Sequence, residues 1–241
     1  MRLLITRPAE DAQELADRLA ALGHEAMIEP MLTIQALDFT LPERPITAIL
    51  LTSRHAAGMI AGTIGGELRK QLPVYCVGAA TADAARTAGF SNVIKSGGDA
   101  ASLIIDAAAA LDPEAGIVLH ARGRHARGNI VGNLRCQGFE AREVVAYEAR
   151  AARQLSDTTA NAIRTRSLDG VLLFSPRTAE IFARLVSDAG LAPALTGVTA
   201  FCLSDAVAAG LGNLAMKLSV AGAPRISALI GLIADAKAVK S

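Results

Sequence analysis

The chain has 241 residues, of which 51% are hydrophobic, enough for one large or two modest domains with a substantial apolar core. This composition excludes general disorder. The formal net charge of +1 and the aromatic content of 3% provide neither a broad basic surface nor many stacking platforms, so we predict no nucleic-acid partner.

Short apolar runs alternate with amphipathic or alanine-rich stretches along the whole chain. Helices are predicted in most gaps between the runs, from 10–22, which ends at Gly23, to a last helix at 226–239. The alternation is typical of parallel sheets covered by helices on both faces. The predicted strands lie near residues 2–6, 24–28, 47–52, 73–77, 92–94, 116–121, 140–147, 169–174, 198–203 and 214–219.

One strand-to-helix junction occurs twice. It reads Leu50-Leu51-Thr52-Ser53-Arg54 in the first copy and Leu172-Leu173-Phe174-Ser175-Pro176-Arg177 in the second. In both copies an apolar run ends at a serine placed to cap a helix, and an arginine follows. Free helix N–H groups, a hydroxyl and a positive charge at one point suit a carboxylate or a phosphate. We therefore predict a duplicated fold that holds a large anionic ligand between its halves.

Two extended segments are predicted to connect the two domains. The first, at about 32–40, is flanked by prolines, and the second, at about 144–150, is followed by polar residues. A chain that crosses at both segments has one discontinuous and one continuous domain. The predicted domains are residues 1–35 together with 150–241, and residues 38–145.

The cysteines and the apolar segments bear on where the protein works. Cys76, Cys136 and Cys202 cannot all pair and show no C-x-x-C spacing, which indicates a reducing compartment. The apolar stretch at the N-terminus is too short for a signal peptide, and no segment approaches the roughly 18 apolar residues of a membrane span. We predict a cytoplasmic protein without a membrane partner, and nothing in the sequence requires more than a monomer.

Motifs for metal and nucleotide sites are incomplete. Gly123 and Gly128 are spaced as in the first part of a P-loop, but Asn129 stands where lysine is required. No G-x-G-x-x-G follows the first strand, and neither junction serine has the flanking glycines of a hydrolase elbow. The four histidines show no metal-ligand spacing, so no metal site is predicted.

Several short motifs follow one another in a recognisable order. They are Ile5-Thr6-Arg7-Pro8, Leu51-Thr52-Ser53, Val77-Gly78-Ala79-Ala80-Thr81-Ala82, Ala88-Gly89-Phe90, Arg122-Gly123, Gly138-Phe139, Val145-Ala146-Tyr147 and Phe174-Ser175-Pro176. Their order and spacing resemble those of the uroporphyrinogen-III synthase family over nearly the whole chain. The resemblance implies two Rossmann-like or flavodoxin-like α/β domains with parallel sheets, joined by a two-stranded β linker, with the substrate in the cleft between them.

The resemblance also implies an activity. Members of the family are cyclising lyases that convert hydroxymethylbilane, a linear tetrapyrrole with acetate and propionate carboxylates, into uroporphyrinogen III. Water is lost and the terminal D ring is inverted. The resemblance implies no metal and no organic cofactor.

The resemblance and the strand ends together indicate the site residues. Tyr147 matches the tyrosine that the family is thought to use as proton donor, and a phenol keeps its proton at neutral pH. A positioning role, or an ordinary tyrosine on a half-exposed strand, stays open. Because ligands of open α/β sheets bind beyond the carboxyl ends of strands, hydroxyls and arginines there are candidates, although each alone can be a cap or a solvated charge. The predicted substrate-binding residues are Thr6, Arg7, Thr52, Ser53, Arg54, Thr81, Arg122, Ser175, Arg177 and Ser204.

Two points about these residues and two other functions stay open. The family often has threonines where this chain has Ala206 and Val207. Residues 120–127 form a local basic cluster that either holds propionates or is a solvated loop.

The first alternative function is a two-lobed anion-binding or sensor module without turnover, which would not need Tyr147. The second is a doubly wound sugar-phosphate or nucleotide enzyme.

Overall fold

The structure is a computed structural model that describes residues 1–126 and 128–238. Arg127 of the predicted basic cluster and Val239 of the predicted last helix lie outside the described residues. The strands are β1 (Arg2–Ile5), β2 (Glu25–Ile28), β3 (Leu32–Ala36), β4 (Ile46–Leu51), β5 (Val74–Cys76), β6 (Val93–Lys95), β7 (Ile117–Gly123), β8 (Glu140–Ala151), β9 (Gly170–Leu173), β10 (Thr199–Cys202) and β11 (Lys217–Val220). The helices are α1 (Ala9–Ala21), α2 (Arg54–Thr63), α3 (Gly66–Gln71), α4 (Ala79–Thr87), α5 (Ala100–Ala110), α6 (Ile130–Cys136), α7 (Asp157–Arg164), α8 (Pro176–Asp188), α9 (Asp205–Ala209) and α10 (Ile226–Ala238), with a 3₁₀ turn at Ala192–Leu195.

The chain divides into two compact units. Unit 1 consists of Met1–Thr33 and Arg150–Ser241, and unit 2 of Ile34–Ala149. The chain passes from one unit to the other along β3 and again along β8, which are neighbours in one sheet.

Unit 1 contains a five-stranded parallel sheet in the order β11-β10-β9-β1-β2. Successive side chains of a strand point to opposite faces, and here both faces are buried. Leu4 and Val171 belong to the apolar cluster on one face, whereas Leu3 and Leu172 belong to the cluster on the other. This double burial explains why the strands read as continuous apolar runs in the sequence.

Unit 2 contains a six-stranded sheet in the order β3-β8-β7-β4-β5-β6, in which β8, β7, β4, β5 and β6 run parallel. Its core is built in the same way. Ile49 and Leu51 contact the helices on one face, and Ala48 and Leu50 belong to the cluster on the other. The predicted α/β class with two parallel sheets is confirmed.

The two sheets have the same spatial order but a different chain order. If β9-β10-β11 is matched to β4-β5-β6, then β1-β2 matches β7-β8. The register supports this match, because Leu51 pairs with Cys76 and Leu173 pairs with Cys202. Counted over the five matched strands of each unit, and leaving out β3, the order is 2-1-3-4-5 in unit 1, as in flavodoxin, and 3-2-1-4-5 in unit 2, as in Rossmann folds. The repeated serine junctions therefore follow equivalent strands.

Candidate active site

In unit 2 the side chains of Thr52 and Ser53, from the junction after β4, lie with that of His120 at the carboxyl end of the sheet. Ser53 caps α2, and its Oγ accepts a hydrogen bond of 3.3 Å from the backbone N–H of His55. Thr52 Oγ1 lies 3.3 Å from Nε2 of His120, which comes from the neighbouring strand β7. Arg54, the first residue of α2, completes the predicted group.

Tyr147 reaches the same junction from β8. Its phenolic Oη donates a hydrogen bond of 2.8 Å to Oγ of Ser53. The ring of His55 stands edge-on to the tyrosine ring, with 5.7 Å between the centroids and 64° between the planes. The phenol is half-buried, so it remains open to a ligand while its direction is fixed by Ser53.

Arg122, at the end of β7, is held by the protein. Its guanidinium makes two hydrogen bonds, of 2.8 and 2.6 Å, to the carboxylate of Glu143. Nη1 donates to the carbonyls of Gly123 and Arg124, at 3.0 and 3.2 Å. The hydrogen bonds of the pair raise the pKa of Arg122 and lower that of Glu143. Arg122 thus fixes the turn after β7, and one N–H of Nη2 is left to meet a ligand.

His120 does not belong to an exposed basic cluster. It is 3% exposed, and burial lowers its pKa to about 4; Glu143 opposes this shift and Arg122 adds to it. Nδ1 is buried and has no hydrogen-bond partner among the described residues. At neutral pH the imidazole is therefore uncharged and serves Thr52 as a hydrogen-bond partner. In the same segment Arg124 and His125 are exposed.

Thr81 and Ser204 lie at the starts of equivalent helices in the two units, but Ser204 matches Gly78 and not Thr81. Thr81 is the third residue of α4 and is 5% exposed, with Gly78 as the N-cap of that helix. Ser204 takes the N-cap position of α9 in unit 1, where its side chain makes no capping hydrogen bond. Val207 stands in the place that Thr81 has in unit 2, so a buried hydroxyl is present on one side only.

The predicted residues of unit 1 lie after the adjacent strands β1 and β9. Thr6 is fully buried and donates through Oγ1 to the carbonyl of Leu172 at 2.7 Å. The guanidinium of Arg7 lies 5.0 Å from the ring centroid of Phe174 and 3.6 Å from a carboxylate oxygen of Asp11. The aromatic face and the carboxylate of Asp11 together hold the guanidinium of Arg7 at this strand end.

Ser175 makes a complete capping box with α8. Its Oγ accepts from the backbone N–H of Thr178 at 3.1 Å, and Oγ1 of Thr178 accepts from the backbone N–H of Ser175 at 3.2 Å. Pro176 supplies the first helical residue, where a missing N–H costs nothing. Arg177 is the second residue of α8.

Metal and thiol chemistry find no support in this region. Among residues 1–126 and 128–238, no three His, Cys, Asp or Glu side chains are grouped to hold a metal ion. Burial raises the pKa of Cys76 and of Cys202 to about 11, which keeps both as thiols at neutral pH. Within the same residues, none of the helices combines the length and the apolar character that a membrane crossing requires.

Comparison with known proteins identifies the family. The family model described as uroporphyrinogen-III synthase HemD matches residues 13–231. The chain belongs to the uroporphyrinogen-III synthase family. That family consists of cyclising lyases of tetrapyrrole biosynthesis. A search of curated proteins gave no match.

Solved structures of uroporphyrinogen-III synthases share the fold. The structure from Helicobacter pylori has a TM-score of 0.67 at 17% identity and covers 98% of this chain and 100% of its own. A triple-mutant structure from the extremely thermophilic bacterium Thermus thermophilus has a TM-score of 0.50 at 15% identity, covering 98% and 97%. The two-unit α/β architecture is therefore that of the synthase family.

The synthase motifs located some of the clustered residues but not all of them. Thr52, Ser53 and Tyr147 were predicted, and the structure brings them together at one strand end of unit 2. His120 as the partner of Thr52 and the ring of His55 beside Tyr147 were missed. A signal for His120 existed, because it lies inside a predicted strand, where a charged side chain is unfavourable.

Proposed function

We propose that this protein carries out the reaction of its family, the cyclisation of hydroxymethylbilane to uroporphyrinogen III, and that Tyr147 donates the proton to the departing hydroxyl. The family match supports the reaction. The observation that carries the role of Tyr147 is the hydrogen bond of 2.8 Å between its Oη and Ser53 Oγ, because it fixes the phenolic oxygen at the strand end. When substrate binds, the phenol turns its proton from Ser53 to the departing hydroxyl, and the Ser53 hydroxyl donates to Oη instead.

The proton transfer starts the reaction. Tyr147 protonates the terminal hydroxyl, the C–O bond breaks, and water leaves an azafulvene whose positive charge is spread over a pyrrole. The far pyrrole then attacks through its already substituted carbon and forms a spiro intermediate. The spiro intermediate then fragments and recloses with that pyrrole ring inverted. On regaining aromaticity the ring loses a proton to the phenolate of Tyr147, which restores the phenol. The hydroxyl of Ser53 can hold the phenolate oxygen meanwhile by donating to it.

Positioning decides which isomer forms. Closure without an enzyme joins the unsubstituted position and gives the type I isomer, so the protein must hold the flexible chain with the hindered carbon nearest to the azafulvene. We propose that hydrogen-bond donors at the strand ends do this by binding the carboxylates. The residues proposed for this are Thr6, Arg7, Thr52, Ser53, Arg54, Thr81, Arg122, Ser175, Arg177 and Ser204.

The setting of the reaction is also part of the proposal. We propose a cytoplasmic enzyme that works as a monomer, without nucleic acid and without a metal or organic cofactor. The near-neutral charge, the scarcity of aromatic residues and the absence of a disulfide among Cys76, Cys136 and Cys202 support this setting.

The decisive experiment is an isomer analysis with Tyr147→Phe in parallel. Purified protein is mixed with enzymatically generated hydroxymethylbilane, and the oxidised products are separated by chromatography. We expect predominantly the type III isomer, with kcat about a hundredfold lower in the variant, because a general acid typically contributes that much. The control is Tyr75→Phe, since Tyr75 is the other tyrosine of the chain and lies in the core.

Two results would count against the proposal. Type I isomer alone, at the spontaneous rate, would contradict the synthase activity and favour the anion-binding module. If Tyr147→Phe forms the type III isomer at the wild-type rate, Tyr147 is not the proton donor, although the synthase activity of the protein stands.

A further inference from the structure

Tyr147 is held against a glycine of the neighbouring strand. Along β7 and β8, Arg122 pairs with Val145, but the next residue, Gly123, pairs with Tyr147, so Ala146 has no partner in the register. A shift of this kind is a bulge, which redirects the side chains that follow it. The bulge places the ring of Tyr147 directly over the backbone of Gly123.

The ring occupies the space that any other residue would need for its side chain. A Cβ atom built on Gly123 would lie 2.6 Å from Cζ, 2.8 Å from Cε2 and 2.9 Å from Oη of Tyr147. Contacts this short are not tolerated, so either the ring or the backbone must move. Gly123 does not have a positive φ, so its backbone suits an alanine, and the three atoms nearest to the added Cβ all belong to the tyrosine.

The backbone at Gly123 is fixed from both sides, which leaves the ring as the part that moves. Arg122 holds the carbonyls of Gly123 and Arg124. The backbone N–H of Arg124 donates to the carbonyl of Tyr147 at 2.8 Å, and the side chain of Arg124 pairs with Glu148 at 3.0 Å. A displaced ring would carry Oη away from Ser53.

We propose that Gly123 is a positioning residue for catalysis: the absence of its side chain seats the Tyr147 ring where the phenolic hydroxyl meets Ser53 and the departing hydroxyl of the substrate. This inference rests on the proposed function of Tyr147. Gly123 itself contacts no reacting atom. It acts only through the place that it leaves for the ring.

The test is a double-mutant cycle on kcat. Gly123→Ala is expected to lower kcat at least about tenfold and to change KM less than about twofold, because the acid is misplaced while the carboxylate-binding residues are not. Gly123→Ala/Tyr147→Phe is expected to be as fast as Tyr147→Phe alone, since a ring without a hydroxyl has no proton to position. Gly62→Ala is the matched control, because a Cβ there meets no atom within 4 Å.

A second cycle, on thermal stability, covers the case in which Gly123→Ala folds poorly. The melting temperature of Gly123→Ala/Tyr147→Ala should equal that of Tyr147→Ala, because removing the ring removes the clash. Continued destabilisation in the double variant would place the clash elsewhere and overturn the inference. The inference would also be overturned if the kcat losses of Gly123→Ala and Tyr147→Phe multiplied in the double variant. A Gly123→Ala enzyme that works at the wild-type rate would overturn it too.

The outcomes separate this inference from the function on which it rests. If Tyr147→Phe keeps the wild-type rate, the proposed catalytic role fails and the positioning role fails with it, although the two cycles can still show steric coupling. If Tyr147→Phe is slow and Gly123→Ala is not, the catalytic role stands and only the positioning role fails.

Discussion

His120 shows how one buried side chain makes the stability of this protein depend on pH. The imidazole is buried on β7, and within the described residues its hydrogen bonding is limited to the contact of Nε2 with Thr52. Placing a charge there is unfavourable, which is why burial lowers the pKa of His120 to about 4. The unfolded chain takes up this proton near pH 6.5, well before the folded chain does.

We expect acidification to destabilise the protein in the window set by this histidine. Between about pH 6.5 and pH 4 the unfolded state binds the proton and the folded state does not, so the free energy of unfolding falls by about 3 kcal/mol across the window and levels off below it. His120→Gln should remove most of this slope. Urea unfolding from about pH 7.5 to pH 4 measures it, and His125→Gln, at an exposed position, is the control. An unchanged slope in His120→Gln would contradict the assignment.

Residue identities were easier to predict than the contacts between them. Tyr147 and Ser53 were found because each lies in a short motif with a neighbouring strand or helix signal. That Gly123 lies under Tyr147 depends on a bulge between two strands, and a bulge has no signature in the sequence of either strand alone. That His120 meets Thr52 depends on β7 and β4 being neighbours, which the chain order does not state.

At the scale of elements, the repeated junction serves the two units differently. Ser53 and Ser175 both cap helices at the ends of equivalent strands. Ser175 is tied to Thr178 in a capping box, whereas Ser53 makes a longer bond to the helix and accepts from Tyr147 as well. The same sequence pattern thus gives one junction that stabilises a helix and one that also directs a phenol.

Alanine substitutions at the two serines are expected to separate these roles. Ser175→Ala should lower the free energy of unfolding by about 1 kcal/mol through loss of a cap. Because Ser175 is one of several proposed carboxylate-binding residues and does not touch the transferred proton, its loss should raise KM and leave kcat within about twofold. Ser53→Ala should lower kcat about tenfold or more, and Ser53→Ala/Tyr147→Phe should be about as slow as Tyr147→Phe alone, because both side chains act on one proton. Thermal melts and steady-state kinetics give the two readouts. Ser187→Ala, on the exposed side of α8, is the control. Equal losses of kcat at both serines would refute the distinction.

The strands could be predicted because the sheets are buried on both faces. Each of the ten predicted strands overlaps an observed one, since a strand such as Leu3-Leu4-Ile5 must be apolar throughout. β3 was predicted only as an extended segment, because its residues are half-exposed or exposed and carry no such signal. The strand that pairs with it, β8, is recognisable only where residues such as Ala141 and Val144 are buried.

At the scale of the whole molecule, the two units carry the same sheet with a different path of the chain. In unit 2, β4 to β8 follow one another without interruption. In unit 1, the inner strand β1 comes from the beginning of the chain and pairs with the central strand β9, which comes from the last third. The spatial order of strands alone would not reveal this difference.

We expect the two units to respond differently to dissection. Residues 32–151, which contain all six strands of the second sheet, should fold alone and melt cooperatively. Residues 152–241 should not fold without residues 1–33, because β9 then lacks its partner β1. Mixing the 1–33 fragment with the 152–241 fragment should restore the circular dichroism of the first sheet. The isolated 32–151 fragment is the positive control for refolding. A cooperative melt of residues 152–241 alone would contradict this expectation.

The split of unit 1 has a consequence for synthesis on the ribosome. Strand β1 carries Leu3, Leu4 and Ile5, all fully buried in the finished sheet. Its neighbour β2 follows it directly, but its other neighbour β9 is translated only after the whole of unit 2, which can fold in the meantime as a unit. The nascent chain therefore carries β1 with one edge unpaired until β9 has been made. The order in which the two units mature is opposite to the order in which their first residues are made.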